Sequence, residues 1–164
     1  GKVDMVVAGM TVNEERLKSV DFSIPYYTAG QVMVVAADNT DITKADDLKN
    51  GKKVGVVLGY TGDTIVTDDL KIDESNITRA NRGVDVVQDV KNGKLDAVVI
   101  DSYTGKALAE KNGLKVVEDS EAFESEEYAI AVKKGNTELL NAINTKLQEM
   151  LDNGEIEKIA EKYN

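Results

Sequence analysis

The chain has 164 residues, 41% of them hydrophobic, enough apolar content for one ordinary domain or two small lobes. Lys+Arg 20 against Asp+Glu 30 give a formal net charge of -10, which argues against a phosphate-tracking nucleic-acid binder or a protein held on anionic lipid. With no Cys and no His, zinc sites, thiol nucleophiles, Ser-His-Asp triads and imidazole acid–base chemistry are absent, and no apolar run approaches the roughly 20 residues of a membrane span.

Residues 3–8 are an apolar run that reads as a buried strand, and residues 9–16, G-M-T-V-N-E-E-R, follow as a strand-to-helix turn. The helix opens at Thr11 or Asn13, Thr11 has capping-box spacing to Glu14, and Arg16 lies less than two turns further on. Gly9 lets a ligand approach the backbone, free N–H groups at a helix start attract an anion, and a guanidinium grips a carboxylate through two parallel hydrogen bonds. The same residues also fit a capped surface helix with a solvated arginine.

Residues 14–20 read as a short helix and residues 21–27, D-F-S-I-P-Y-Y, as extended chain around Pro25, the only proline. Tyr26 and Tyr27 suit either stacking on a ligand or packing beside the crossing strands. Residues 31–37 are nearly continuous β-branched and apolar sequence, a strand buried on both faces or crossing between two bodies. The stretch 38–47 holds four aspartates without the glycine of a calcium loop and reads as a solvated turn, leading into a brief helix at 44–49.

A strand at 53–57 meets a second glycine turn, G-Y-T-G-D at 59–63, and the earlier grammar repeats. Then come a helix at 64–70, a strand at 77–81, a helix at 84–91, a strand at 96–100 ending on Asp101, and a helix at 104–111. Further strands fall at 115–117 and 128–132, and the tail is two helices, 137–151 and 155–163, broken at Gly154. Strand alternating with helix predicts a parallel sheet covered on both faces.

One internal echo bears on organisation. G-K-V-D-M-V-V-A at 1–8 matches G-K-L-D-A-V-V-I at 93–100, and each copy leads into a polar turn, which suggests two similar α/β halves. The second copy follows a helix and two strands; the first follows nothing. A buried strand opening the chain would leave bare faces and unpaired edges, so the expectation is that part of the first half is missing.

The whole sequence resembles the amino-acid-binding (polar amino acid) family of extracytoplasmic solute-binding proteins of ABC transporters. The matching stretches are GKVDMVVAGMTVNEER, VDFSIPYY, the DL-GK-VGV pattern at 47–56, G-Y-T-G-D, GKLDAVVID and YAIAVKKGN with its trailing helices. The resemblance implies a type II periplasmic-binding-protein-like α/β fold, with one complete Rossmann-like lobe at 34–127 and partial lobe 1 at 1–33 and 128–164, joined by two crossing strands. It implies about 60–80 further residues at the N-terminus of a complete member. It also implies an amino acid held between two lobes that close by hinge motion, with the α-carboxylate on Arg16, Thr11 and Gly9 and on Thr61 and Gly62, and the α-ammonium on Asp101. No catalytic residue, metal or cofactor is implied.

Plainer roles stay open for these residues: Asp101 as the N-cap of the next helix, and 59–62 as an ordinary strand-to-helix turn. Asn13, Tyr60, Val57 and Leu58 depart from the usual family pattern, and the last two suggest an apolar wall against the ligand's side chain. The implied partners are a free amino acid, an ABC permease in the full-length context, and a homodimer or a complementary N-terminal fragment covering residues 3–8. The implied location is extracytoplasmic, with a lipid anchor an option in the precursor. As a truncated or fragment form the chain is expected to bind its amino acid more weakly than a complete member. Two other readings are an engineered or structural fragment in a swapped or complemented assembly without ligand binding, and a dehydratase-like enzyme on the same scaffold. The enzyme would need Asp101, Glu14, Glu15 or a lysine for its acid–base chemistry.

Overall fold

The computed structural model describes residues 2–162; Gly1, which opens the strand echo, and Tyr163 and Asn164, which end the expected lobe 1, lie outside the described residues. In chain order the elements are β1 (Met5–Val6), α1 (Glu14–Leu17), β2 (Val20–Phe22), β3 (Tyr27–Ala29), β4 (Gln31–Val35), β5 (Val54–Val57), α2 (Thr61–Thr64), β6 (Ile77–Ala80), α3 (Gly83–Lys91) and β7 (Ala97–Asp101). They continue with α4 (Ser102–Asn112), β8 (Lys115–Val117), β9 (Glu126–Tyr128), β10 (Ala131–Lys133), α5 (Thr137–Asp152) and α6 (Glu155–Ala160). Two units divide them, Gly1–Thr28 with Glu126–Asn164, and Ala29–Ser125. The sequence expectation set these boundaries at 33/34 and 127/128; Gln31–Val35 falls wholly in the second unit because it pairs along its length with β7 and over its last three residues with β8.

The second unit is built on a five-stranded sheet in the order β6-β5-β7-β4-β8. Strands β6, β5 and β7 are parallel, whereas β4 runs antiparallel to both β7 and β8. The sheet is therefore mixed, not parallel throughout as expected. β4 reaches it by extended chain and not by a helical crossover, so no handedness rule forces it to run with the others. Every residue of β4 is buried, and the period of two sends its side chains to both faces. Met33 and Val35 join Val54, Val56, Ala97 and Val99 on one face, while Val32 and Val34 join Val57, Val98 and Ile100 on the other. Val86, Val87 and Val90 of α3 and Ala109 of α4 cover the second face. The first is covered by Leu48 from the 3-10 turn Ala45–Lys49 and Val66 from the wide turn Ile65–Asp69. The helix expected at 64–70 is this wide turn, closed by Leu70 N–H donating to Ile65 O at 2.8 Å.

In the first unit β10 is the middle strand of an antiparallel sheet, β1-β10-β2. The continuous strand expected at 128–132 is split, because the chain changes partners there. Ala129 N–H donates to Met10 O at 3.2 Å, while Ile130 O accepts from Ser23 N–H at 2.9 Å, and β9 pairs with β3 on one side of that switch. Residues 3–8 correct another expectation. Among the described residues only Met5 and Val6 are paired, and Val3, Met5, Val6 and Val7 are exposed, Val3 at 66%, because no layer of those residues packs on this edge strand. The last two helices form with Gly154 at φ 70° between them, α6 ending at Ala160, short of the expected residue 163, which lies outside the described residues.

Candidate functional site

The expected site residues fall into two groups, one in each unit. In the first unit, Thr11 is buried and lies opposite Tyr128 in an antiparallel bridge, fixed by Val12 N–H donating to Glu127 O at 3.0 Å and Ala129 N–H to Met10 O at 3.2 Å. The helix starts at Asn13, whose Oδ1 accepts from Arg16 N–H at 2.8 Å; the capping box from Thr11 does not form, because that residue is held in the bridge. α1 then ends at Leu17, short of the expected residue 20.

Arg16 is half-buried, and its Nη1 donates to Thr11 O at 2.8 Å. It forms no ion pair among the described residues. A guanidinium has five donors in a fixed fork, so this one keeps most of its capacity for a planar anion. Gly9 sits over the ring of Tyr128; a Cβ there would lie 3.2 Å from Cε2. The Tyr128 ring also packs on Tyr27 at 6.0 Å, and Tyr26 Oη donates to Ala8 O at 2.5 Å, so the tyrosines brace the turn from below.

The Thr11 hydroxyl donates to a carboxylate oxygen of Glu126. Residue 126 precedes Tyr128 by two, so it occupies the diagonal position across the bridge, where side chains on one face meet. Glu126 was not among the sequence candidates. Its partner lies 115 residues away, and only the strand register brings the two together.

In the second unit, Thr61 and Gly62 open α2 directly beyond the carboxyl end of β5, and Asp101 ends the neighbouring parallel strand β7. Carboxyl ends of adjacent parallel strands are where open α/β sheets take ligands. Gly62 packs onto β7, and a Cβ there would be 2.5 Å from Val99 O, so any other residue forces the backbone to shift. Asp101 does cap α4, since Oδ1 accepts from Thr104 N–H at 2.9 Å. Its other oxygen, Oδ2, is buried and has no hydrogen-bond partner among the described residues. Capping thus accounts for half of this carboxylate.

The glycine turn has a support absent from the sequence expectation. Asp63, buried, accepts from Gly59 N–H at 3.0 Å through Oδ2 and from Arg79 Nε at 2.8 Å through Oδ1. Arg79 reaches on to Thr67 Oγ1 at 2.9 Å and to Glu74, and these carboxylates raise its pKa, with Glu74 the larger cause. The signal was an arginine inside a strand, T-R-A in β6. Leu58 and Tyr60 are exposed, whereas Val57 belongs to the core beneath. No helix is long and apolar enough to cross a membrane among the described residues.

Solved structures share this architecture. An ancestral arginine-binding protein bound to glutamine superposes with a TM-score of 0.89 at 43% identity, covering 99% of this chain and 71% of that one. The arginine-, lysine-, histidine-binding protein ArtJ of Geobacillus stearothermophilus gives a TM-score of 0.91 at 32% identity, over 99% of this chain and 70% of that one. Fold and carboxyl-end turns together define a type II periplasmic-binding-protein-like protein. The profile of the bacterial extracellular solute-binding proteins, family 3, matches residues 1–164, and the chain belongs to that family. A probable histidine-binding protein of Neisseria gonorrhoeae is 36% identical over 165 residues, 99% of this chain. The chain spans 61% of the length of that curated relative.

Proposed function

We propose that the protein binds a free amino acid as the solute-recognition component of an ABC importer. Arg16 and the turn of Thr61 and Gly62 take the α-carboxylate, Asp101 takes the α-ammonium, and Gly9 and Thr11 shape the turn beside Arg16. The observation that carries this reading is Asp101 Oδ2, a buried carboxylate oxygen without a partner among the described residues. Leaving such a group unsatisfied costs about 1–3 kcal/mol or more, and a ligand cation removes that cost. The guanidinium of Arg16, in no ion pair among the described residues and with donors beyond the one bonded to Thr11 O, supports the opposite end of the same ligand. Relatives named for histidine, for arginine bound to glutamine, and for arginine, lysine and histidine support the amino-acid class.

Calorimetric titration with the free amino acids tests the reading. We expect saturable binding without turnover of at least one of them, and a loss of about 2–5 kcal/mol in Asp101→Asn or Arg16→Ala. No heat with any amino acid, or affinities unmoved by both substitutions, would overturn it.

A further inference from the structure

Behind the turn that takes the ligand's α-carboxylate in the proposed function stands another carboxylate. Asp63 follows Thr61 and Gly62 directly, is buried, and holds Gly59 N–H on Oδ2 at 3.0 Å. A neutral side-chain oxygen could accept that amide as well. The charge is a liability here, because a buried carboxylate beside a site for an anion repels what the site must bind. Arg79 offsets it. Registered with Val56 across the β5–β6 pair, Arg79 leaves the sheet on the face that Val56 and Val66 share, and there its Nε donates to Asp63 Oδ1 at 2.8 Å. Nη2 donates to Thr67 Oγ1 at 2.9 Å, and the far edge of the guanidinium pairs with the exposed carboxylate of Glu74. Its inner partner is the buried charge, and its outer partner is one that water and salt already screen.

We propose, on the amino-acid-binding reading, that Arg79 is a positioning residue for the ligand's α-carboxylate: without touching the ligand it cancels the charge of Asp63, so that the glycine turn is braced by a carboxylate and still accepts an anion. All of these residues lie in the second unit. Brace and charge are separable by substitution. In Arg79→Gln the new amide nitrogen stands the same number of bonds from the backbone as Nε, so a donor to Asp63 Oδ1 remains while the positive charge is lost. Arg79→Lys keeps the charge and loses the planar fork that reaches Thr67 and Glu74. When Asp63→Asn is added to Arg79→Gln, both charges are gone; the two amides can bond each other, and Gly59 N–H keeps an oxygen acceptor.

Calorimetry with the common L-amino acids identifies the one that the wild type binds most tightly, and that compound is the probe for every variant. Urea midpoints are measured on the same preparations. Arg79→Gln should weaken the probe by about tenfold, the order of one uncancelled charge at a partly screened position. Arg79→Lys should stay within about threefold of wild type, and adding Asp63→Asn to Arg79→Gln should restore the affinity to about the same level, although every one of these variants has a lower urea midpoint. A purely structural brace predicts instead that affinity follows the urea midpoint, with the double variant no better than Arg79→Gln. That result, or an affinity unchanged in Arg79→Gln, overturns the proposal. Glu74→Gln decides the matter should Arg79→Gln not fold: with its outer partner neutral, Arg79 should tighten binding about twofold, and unchanged or weaker binding overturns the proposal. If the wild type binds no free amino acid at all, the proposed function itself fails, and Arg79 has no such role.

Discussion

Asp63 shows how far the chemistry of single residues reaches. It sits in the first turn of α2, yet its two oxygens hold the amide of Gly59 and the guanidinium of Arg79, so it joins both ends of the glycine turn to the neighbouring strand. Asp63→Ala takes one of two carboxylates from a half-buried arginine and the acceptor from the Gly59 amide, and we expect a loss of about 1–3 kcal/mol in urea denaturation, with weakened ligand binding. Gly62→Ala should be as damaging for a different reason. Its methyl group would meet a backbone carbonyl at 2.5 Å, and backbone cannot swing aside as a side chain can; we expect about 1–3 kcal/mol of destabilisation by the same assay. Arg16 and Asp101 were legible in the sequence, because their types and their places at a helix start and a strand end announce charge chemistry. Glu126 and the Asp63–Arg79 pair were not. Their meaning comes from partners 115 and 16 residues away, which only the strand register supplies.

At the scale of elements, the period-two and helical patterns located nearly every segment, and the errors share one cause. Residues 3–8 and β4 have similar apolar composition, but β4 is hydrogen-bonded on both sides and buried on both faces, while β1 is paired on one side and exposed. Composition specifies a strand; neighbours decide whether it is core or edge. The split of 128–132 has the same origin, a change of partner that no local pattern encodes. Hydrogen exchange separates these cases. Amides of β4 and β7 should exchange only through the largest opening of the second unit, and those of Met5 and Val6 should exchange among the first. Equal protection of the two strands would show that β1 is covered in solution.

For the whole molecule, the acidic balance becomes a statement about pH. Asp21, Asp47 and Asp73 are held below the ordinary aspartate pKa, each chiefly by a hydrogen bond: the Gly135 amide for Asp21, the Thr43 amide for Asp47, and the Ser75 hydroxyl for Asp73. Groups with a depressed folded pKa stabilise the fold above their unfolded value, about 3.9, and lose that contribution as pH falls through the folded value. With no histidine to titrate near neutrality, the urea midpoint should vary little from about pH 8 to about pH 5 and fall below about pH 4. In the proposed function the protein meets its ligand through a few fixed charges. The most direct measurement of that claim titrates the free amino acid that binds best in the calorimetric screen, its N-acetyl form and its carboxamide form against the same protein. Recognition of a zwitterion by Arg16 and Asp101 predicts that blocking either end abolishes detectable binding, whereas a blocked form that binds as well as the free amino acid would contradict it.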